Sequence, residues 1–357
     1  MSISIPKTQK AALVVSSDSP ILFKNDHPVK QPEELAPGEC LVKMHCTGVC
    51  HTDLHARLGD WPLPHKLPLV GGHEGVGEVV AIGANTIDCP VKIGDRVGVK
   101  WLADSCLQCE QCRKGLEQCC AKAKLSGYTV DGTFSQYVVS YVAHVTPIPE
   151  NLDSQEAASF LCAGVTVYRA LKYSQTKPGD WVVLPGAGGG LGHLAIQYAV
   201  HAFGLRVVAI DTGAEKKELC LSLGAEKWID FRETKDLVKD IKNATGGEGP
   251  HAALVSAASG TAYEQAVDYL RPGGSLLAVG LPGQAQISAS VFWTVVKSIN
   301  IIGSYVGNRQ DAHEALNIAS MGKIHCHYVS KPLSALSEVY EGMQQGTVAG
   351  RVVLKMD

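Results

Sequence analysis

Residues 48–56, GVCHTDLHA, place a thiol, two imidazoles, a hydroxyl and a carboxylate within six positions, from Cys50 to His55. Side chains of these types can bind a metal ion, pair a nucleophile with its base, or occupy a polar loop. A lone Cys–His pair is more often structural than catalytic, so this stretch alone does not choose among the three. The choice depends on what the rest of the chain supplies.

A second segment, CLQCEQCRKGLEQCC, carries cysteines at the spacing of a metal site. Two consecutive C-x-x-C steps and a further thiol within eight residues are typical of zinc held by four thiolates. The candidate ligands are Cys106, Cys109, Cys112 and either Cys119 or Cys120. Four protein ligands leave no open position, which predicts a structural role. A redox C-x-x-C pair is the alternative, but one exchangeable disulfide does not explain four cysteines.

Cysteine and histidine also recur in two distant motifs that suggest an open metal site. VGGHEGVGEVV places His73 and Glu74 between glycines before a predicted strand, and FLCAGVTVY places Cys162 in a predicted helix. Cys50, His73 and Cys162 would leave a fourth position open, as in catalytic zinc sites. Glu74 would be an intermittent fourth ligand or a neighbour of the ligands. Spacing alone cannot join residues so far apart.

Five isolated cysteines are predicted to be small buried hydrophobic residues, because free cysteine is commonly buried. They are Cys40, Cys46, Cys89, Cys220 and Cys326.

Composition places the chain among ordinary globular proteins. Its 357 residues favour two domains, with 45% hydrophobic and 19% charged residues. A net charge of −3 gives no electrostatic reason to expect nucleic acid or an anionic membrane as a partner. The sequence contains no apolar run of about 18 residues, so no membrane span is predicted. The start, MSISIPKTQKAALVV, resembles neither a signal peptide nor an organelle presequence, so we expect a cytoplasmic protein.

The first 150 residues alternate short β-rich runs with glycine and proline, which predicts an antiparallel, partly barrel-like β domain. The runs are ECLVKMHCTGV, GVGEVVAIG, DRVGVKWL and FSQYVVSYVAHVTPIP. Near residue 154 the pattern becomes helical, with Ser154 as predicted N-cap and Glu156 in the first turn. From there strands such as WVVLPG, RVVAID and GSLLAVG alternate with helices, which indicates a parallel doubly wound sheet.

A glycine-rich turn follows the first of these strands, in WVVLPGAGGGLGHLAIQ. Between a strand and a helix, such a turn lets backbone N–H groups approach a pyrophosphate. The strict G-x-G-x-x-G pattern is not met in frame, and its nearest equivalents are Gly186, Gly189 and Gly192. The other candidate contacts of this turn are Gly188, Gly190 and Leu191.

Asp211 closes the next strand, 19 positions after Gly192. A carboxylate there can accept a hydrogen bond from a ribose 2′-hydroxyl and repels a 2′-phosphate, which favours NAD over NADP. Lys216, about one helical turn further, could reach the same ribose. The alternative is that Asp211 only caps the following helix.

Taken together, the motifs resemble those of the zinc-dependent medium-chain alcohol dehydrogenases, most nearly the fungal, yeast-type tetrameric class. They are CHTDLHA, GDWPLPHKLPLVGGHEGVGEVV, the four-cysteine segment, FLCAGVTVY, the glycine turn and SYVGNR. The resemblance runs from about residue 5 to the C-terminus. It implies an α/β protein and a homotetramer, with a GroES-like β-rich catalytic domain over 1–163 and 304–357. It also implies a structural zinc lobe at about 100–125 and an NAD-binding Rossmann domain over 164–303.

The resemblance also implies two zinc ions per chain. The catalytic zinc would be held by Cys50, His73 and Cys162, with Glu74 beside it and Asp53 orienting His73. The structural zinc ligands would be Cys106, Cys109, Cys112 and Cys120, with Cys119 as a bystander.

Other matching residues would bind substrate and cofactor. Thr52 would bond the substrate oxygen, and His55 would form the outer end of a proton relay. His51 and Arg351 would contact the pyrophosphate. Trp61 and Trp101 would narrow the substrate pocket. The alternatives are a strand position for Thr52, a solvated surface position for His55, and ordinary core packing for the two tryptophans.

The implied activity is zinc-dependent oxidation of small, ethanol-like primary alcohols to aldehydes with NAD, and the reverse reduction. In this activity hydride would pass to the nicotinamide, while a proton would leave through Thr52, the cofactor ribose and His55. A dehydrogenase of larger alcohols or polyols would share the metal sites. Zinc ligands argue against a zinc-free quinone reductase, and a complete relay argues against a non-catalytic NAD-binding protein.

Overall fold

In the computed structural model, the described residues are 4–17, 19–257, 259–283, 285–348 and 350–356. They divide into two compact units. The first comprises the described residues of Met1–Cys162, Asn308–Ser320 and Tyr328–Asp357, and the second those of Ala163–Gly307 and Met321–His327. The segment 304–357, assigned as a whole to the catalytic domain from the sequence, is thus shared between the two units.

Strands predominate in the first unit, whereas strands and helices alternate in the second. The strands are β1 (Thr8–Val14), β2 (Leu22–Pro28), β3 (Glu39–Val49), β4 (Leu69–Val70), β5 (Gly75–Ile82), β6 (Arg96–Val99), β7 (Leu102–Asp104), β8 (Lys124–Leu125), β9 (Tyr137–Tyr141), β10 (Thr146–Pro147), β11 (Trp181–Pro185), β12 (Arg206–Asp211), β13 (Lys227–Asp230), β14 (Ala252–Val255), β15 (Ser275–Ala278), β16 (Asn300–Gly303), β17 (Tyr328–Pro332) and β18 (Arg351–Lys355). The α-helices are α1 (His51–Leu58), α2 (Glu110–Arg113), α3 (Ser154–Ser159), α4 (Val165–Lys172), α5 (Gly192–Gln197), α6 (Ala214–Ser222), α7 (Leu237–Ala244), α8 (Gly260–Tyr269), α9 (Val291–Val296), α10 (Arg309–Ile318) and α11 (Leu336–Gln344). Short 3-10 turns lie at Pro32–Glu34, Glu117–Cys119 and Leu333–Ala335, and π-helical turns at Phe160–Gly164, Tyr198–Ala202 and Ala319–Lys323.

The larger sheet of the first unit is built around β3. Its strand order among the described residues is β10-β6-β5-β3-β18-β17, with β9 also paired to β3. In the middle of β3, Lys43 and His45 are exposed while Val42, Met44 and Cys46 are buried, the alternation of a half-buried strand. β3 ends at Val49, so the sheet delivers the chain directly to Cys50.

The second unit contains the predicted parallel doubly wound sheet. Its strand order is β13-β12-β11-β14-β15-β16, and every pair is parallel. The order changes direction between β11 and β14, and ligands of such sheets bind outside the carboxyl ends of the strands at this point. The glycine-rich turn follows β11 there.

The stretch from Cys50 to Leu58, for which a polar loop was one of the possibilities, is helical: His51–Leu58 form α1, with Cys50 as its N-cap. Oδ2 of Asp53 accepts a hydrogen bond from the backbone N–H of Cys50 at 2.8 Å, which closes one arm of a capping box at the N-terminus of α1. Gly59, with φ 63°, ends the helix in the left-handed conformation. The polar residues of this stretch therefore have fixed helical positions.

Two further local predictions are wrong. The N-cap of α3 is Asp153 and not Ser154, because the Asp153 carboxylate accepts from the N–H groups of Gln155 and Glu156 at 2.9 and 3.1 Å. Cys89 is exposed, since it lies in the turn after β5 and its thiol donates to the carbonyl of Val91. The other four isolated cysteines are buried as predicted.

Among the described residues, no helix combines the length and apolarity needed to cross a membrane.

Candidate active site

Four potential metal ligands from separate parts of the sequence meet inside the first unit. Cys50, His73, Glu74 and Cys162 are all buried, and one donor atom of each lies within 4.8 Å of the others. Cys50 caps α1, His73 and Glu74 lie between β4 and β5, and Cys162 lies in the π-helical turn after α3. Nε2 of His73 is 3.3 Å from Sγ of Cys162, and the two sulfurs are 4.0 Å apart. Two sulfurs, an imidazole and a carboxylate are the donors that zinc prefers.

A carboxylate fixes the ring of His73. Oδ1 of Asp53 lies 2.7 Å from Nδ1 of His73, and both side chains are buried. With its proton on Nδ1, the ring presents the lone pair of Nε2 to Cys50 and Cys162. Burial alone would lower the pKa of His73, but the charges of Asp53 and Cys50 outweigh it and raise the pKa. Asp53 therefore both orients the ring and makes it more basic.

The two thiols of this cluster differ in acidity. The hydrogen bond from Cys162, together with His73 and Arg351, lowers the pKa of Cys50 well below its ordinary value. The same shared proton, with burial, raises the pKa of Cys162. Once deprotonated, two thiols placed like this can both bind one metal ion.

Glu74 is fully buried beside these ligands and is only half satisfied. Arg351 donates to its Oε1, whereas Oε2 has no hydrogen-bond partner among the described residues. Gly48 leaves the space that this carboxylate occupies, because a Cβ there would collide with Oε2. Burial raises the pKa of Glu74 to about 7 although Arg351 acts in the opposite direction. An orphaned carboxylate oxygen next to two sulfurs and an imidazole fits a site built for a cation.

α1 carries the predicted relay residues. Thr52 and His55 are three positions apart and hence on neighbouring turns of one face, while His51 is exposed at the first position of the helix. Nδ1 of His55 lies 2.9 and 3.0 Å from the two carboxylate oxygens of Asp60. This contact directs the second ring nitrogen, Nε2, away from Asp60.

The predicted pocket tryptophans belong to an aromatic cluster that reaches His73 of the candidate metal site. Trp101 meets the ring of His73 edge-on at 5.2 Å, and Trp61 stacks on His55 at 5.0 Å. Tyr128 packs against both tryptophans, at 5.5 Å from Trp101 and 6.0 Å from Trp61. The cluster therefore connects His73 of the candidate metal site to His55.

The four-cysteine site, meaning Cys106, Cys109, Cys112 and Cys120, is equally well assembled. The four sulfurs lie within 4.8 Å of one another, with pairs as close as 3.5 Å for Cys109–Cys112 and 3.6 Å for Cys106–Cys120. Cys119 is exposed and lies outside this set. Backbone N–H groups lower the pKa of Cys106 to about 6, whereas burial raises that of Cys112 to about 11.

In the second unit, the glycine turn and Asp211 are joined by hydrogen bonds. The N–H of Gly188 donates to Oδ2 of Asp211 at 3.0 Å, and Lys216 forms an ion pair with Oδ1 at 3.0 Å. The N-cap of α6 is Gly213, so Asp211 is not the cap of the following helix. Gly192 has no room for a Cβ against the backbone of Gly186, which allows α5 to approach the turn closely.

Comparison with known proteins agrees with this geometry. Residues 36–150 match the family model of the alcohol dehydrogenase GroES-like domain, and residues 190–320 match that of the zinc-binding dehydrogenases. An alcohol dehydrogenase of Schizosaccharomyces pombe is 49% identical over 355 residues, 99% of each chain.

The chain belongs to the zinc-dependent medium-chain alcohol dehydrogenases.

Solved structures place the dehydrogenase in the same fold. The alcohol dehydrogenase of Aeropyrum pernix superposes with a TM-score of 0.86 at 30% identity, covering 97% of this chain and 99% of that one. The acetophenone reductase of Geotrichum candidum, in complex with NAD, gives 0.86 at 26% identity, covering 99% and 98%. The predicted family, fold class, enzyme class and cofactor types, zinc and NAD, are confirmed.

Several residues of the dehydrogenase site escaped the sequence analysis. Asp60 meets His55 because Gly59 turns the chain back at the end of α1, and no helical spacing signals this. Tyr128 lies between glycines in SGYTVDG. Its hydroxyl donates to the carbonyl of Leu63 at 2.9 Å, and its carbonyl accepts from the N–H of Lys66 at 2.8 Å, which ties it to the loop that carries Trp61. An aromatic residue in a glycine-rich segment was the one available signal.

Proposed function

We propose that the dehydrogenase interconverts small primary alcohols and aldehydes with NAD, at a catalytic zinc held by Cys50, His73 and Cys162. The observation that carries this proposal is the buried cluster of two sulfurs, one imidazole and one half-satisfied carboxylate. When bound, zinc supplies a Lewis acid that polarises the substrate oxygen. Glu74 is proposed to stay beside the metal, where Arg351 balances its charge.

The proposed proton relay uses the geometry of α1. Thr52 would accept the proton of the substrate hydroxyl and pass it outward, through the cofactor ribose, to His55. Because Asp60 holds Nδ1 of His55, Nε2 is the nitrogen that can accept this proton and release it to water. Asp53 acts earlier, by holding His73 in the tautomer that binds metal through Nε2.

The proposed substrates are small because aromatic rings enclose the space beside His73. Trp61 and Trp101, with Tyr128 behind them, present rigid side chains with few rotamers. We infer that these rings leave little room for a chain longer than that of ethanol. Larger alcohols and polyols are therefore expected to be poorer substrates.

The proposed cofactor site lies in the second unit, which we propose as the NAD-binding domain, with the first unit as catalytic domain. The turn from Gly186 to Gly192, including Gly189, Gly190 and Leu191, would bind the pyrophosphate. Asp211, anchored by Gly188 and Lys216, would accept from the ribose hydroxyl and exclude a 2′-phosphate. His51 and Arg351 are proposed to contact the pyrophosphate.

We also propose a structural zinc at the four-cysteine site. Its closed set of four thiolates leaves no position for substrate, so this zinc would hold the lobe around residues 100–125 together.

The decisive experiment compares zinc content and ethanol–NAD activity of the parent and Cys162→Ala. We expect two zinc ions per chain in the parent, one in the variant, and activity only in the parent. Cys220→Ala, which removes a buried thiol far from both clusters in sequence, is the control and should match the parent. Undiminished activity of Cys162→Ala would refute the proposed ligand set, and faster turnover of long alcohols by the parent would refute the substrate class.

We propose further that the dehydrogenase is a homotetramer of the cytoplasm. β16 is an edge strand of the second unit, and Ile301 on it is exposed, as are Val291, Phe292 and Val295 of α9 nearby in sequence. Apolar edges of this kind favour association. All twelve cysteines are free, which suits a reducing compartment. Sedimentation as a monomer at micromolar concentration would overturn the tetramer.

A further inference from the structure

A line of polar side chains leads from the four-cysteine site into the interior of the first unit. Sγ of Cys112 lies 3.7 Å from Oγ of Ser105, which in turn lies 3.0 Å from Nε2 of His144. Ser105 and His144 are only 6% and 1% exposed. Water therefore cannot replace either partner without opening the fold.

We propose that Ser105, held by His144, donates a hydrogen bond to the Cys112 thiolate and thereby slows loss of zinc from the four-cysteine site. The inference rests on the structural zinc proposed above. Both residues are positioning residues: they act on a metal ligand and do not touch substrate or cofactor.

The thiolate sulfurs of a zinc site with four cysteine ligands need hydrogen-bond donors. Four thiolates around one zinc ion leave a net negative charge, and a buried charge is costly unless hydrogen bonds compensate it. Sγ of Cys106 accepts from the N–H of Cys109 at 3.3 Å, and Sγ of Cys120 from that of Lys122 at 3.4 Å. For the buried Cys112, the Ser105 hydroxyl is the corresponding hydrogen-bond donor.

The proton count allows this donation. Burial, with Lys100 and Arg309 nearby, lowers the pKa of His144 to about 3, so the ring is neutral and has one N–H. Nδ1 has no hydrogen-bond partner among the described residues, which leaves Nε2 as the bonding nitrogen. When Nε2 donates to Oγ of Ser105, the serine O–H is free to donate to the sulfur.

His144 is itself held in place from two directions. Lys100, also buried, donates through Nζ to the backbone carbonyl of His144. Asp104 lies 3.6 Å from Nδ1 and is paired with Lys124 at 3.2 Å. These contacts hold the backbone and the ring of His144 beside Ser105.

The test compares zinc retention in matched variants of the full-length holoenzyme. Ser105→Ala removes the hydroxyl and Ser105→Thr keeps it. His144→Leu removes the donor, whereas His144→Gln can place an amide N–H near the position of Nε2. Ser126→Ala is the control, because Ser126 is a buried serine that donates to the carbonyl of Lys100 and not to a sulfur.

Zinc loss is followed site by site with a chromogenic chelator and iodoacetamide. Trypsin cuts after Lys100 and Arg113, so one peptide, WLADSCLQCEQCR, carries three of the four cysteines. Its rate of alkylation after chelator is added reports the four-cysteine site alone. Circular dichroism before the reaction verifies that each variant is folded.

We expect alkylation of this peptide about 10–100-fold faster in Ser105→Ala. Ser105→Thr, His144→Gln and Ser126→Ala should stay near the parent rate. His144→Leu should resemble Ser105→Ala, and the double variant should be no faster than Ser105→Ala, since both changes break one pathway.

The contrary outcomes are distinct. A parent-like rate for Ser105→Ala would overturn this inference alone. Additive effects in the double variant would overturn the role of His144 through Ser105. Immediate alkylation of the parent peptide before chelator is added would instead overturn the structural zinc site, and this inference with it.

Discussion

At the scale of single residues, the carboxylate of Asp53 orients the imidazole of His73. Asp53 lies 2.7 Å from Nδ1 of His73, so Asp53→Asn should allow the ring to turn and should reduce its basicity. We expect an affinity for the catalytic zinc about 10–100-fold lower, with the zinc of the four-cysteine site retained. Zinc content after dialysis against graded chelator measures this. Asp95→Asn, at a turn whose carboxylate accepts from Lys92 N–H, should keep both ions.

A hydroxyl at the edge of the aromatic cluster should affect substrate choice. Tyr128→Phe keeps the ring but loses the hydrogen bond to the carbonyl of Leu63, so Trp61 becomes less firmly held. We expect the ratio of kcat/KM for hexanol to that for ethanol to rise about 3–10-fold. Tyr263→Phe loses a similar bond, to the carbonyl of Gly280 in the second unit, and should leave the ratio unchanged. If the hexanol-to-ethanol ratio is unaltered in Tyr128→Phe, Tyr128 does not contribute to the selection of substrates by chain length.

At the scale of elements, the N-terminus of α3 gives a direct comparison. Asp153→Ala removes the acceptor of two backbone N–H groups and should lower the free energy of unfolding by about 1 kcal/mol. Ser154→Ala should cost less, because the Ser154 hydroxyl accepts from the side chain of Arg96, at 3.2 Å, and not from a backbone N–H of the helix in the part of the chain that the structure describes. Thermal midpoints of the two variants measure the difference. A larger loss in Ser154→Ala would restore the N-cap predicted from the sequence.

The element scale also shows where periodicity is informative. β3, β5, β11, β12 and β15 lie within a residue or two of the segments expected, because apolar periodic stretches specify their own structure. α1 was not predicted, because most of its residues are polar and lack the apolar periodicity of a helix. The capping contact from Asp53 and the turn at Gly59 make it a helix, and these are visible only once neighbouring atoms are placed.

At the scale of the whole molecule, stability in acid should depend on His144. Burial lowers its pKa to about 3, so between that value and about 6.5 the unfolded chain binds a proton that the native protein does not. The free energy of unfolding therefore falls as the pH falls through this window, by up to about 1.4 kcal/mol per pH unit. In His144→Gln this contribution is absent, and the thermal midpoint should fall less between pH 7.0 and 5.5. Equal falls of the thermal midpoint in the parent and in His144→Gln would contradict this expectation.

Sequence by itself determined the chemistry of this protein: the four-cysteine spacing, the glycine turn before a helix, and the motifs that identify its family. These features are local, and local spacing is readable without a fold. Only the tertiary structure brought Cys50, His73 and Cys162 together, moved Cys89 to the surface, and linked Asp60 to His55 and Ser105 to His144. Such contacts join residues up to 112 positions apart, as for Cys50 and Cys162. They depend on strand pairing and packing over the whole chain, which no local pattern records.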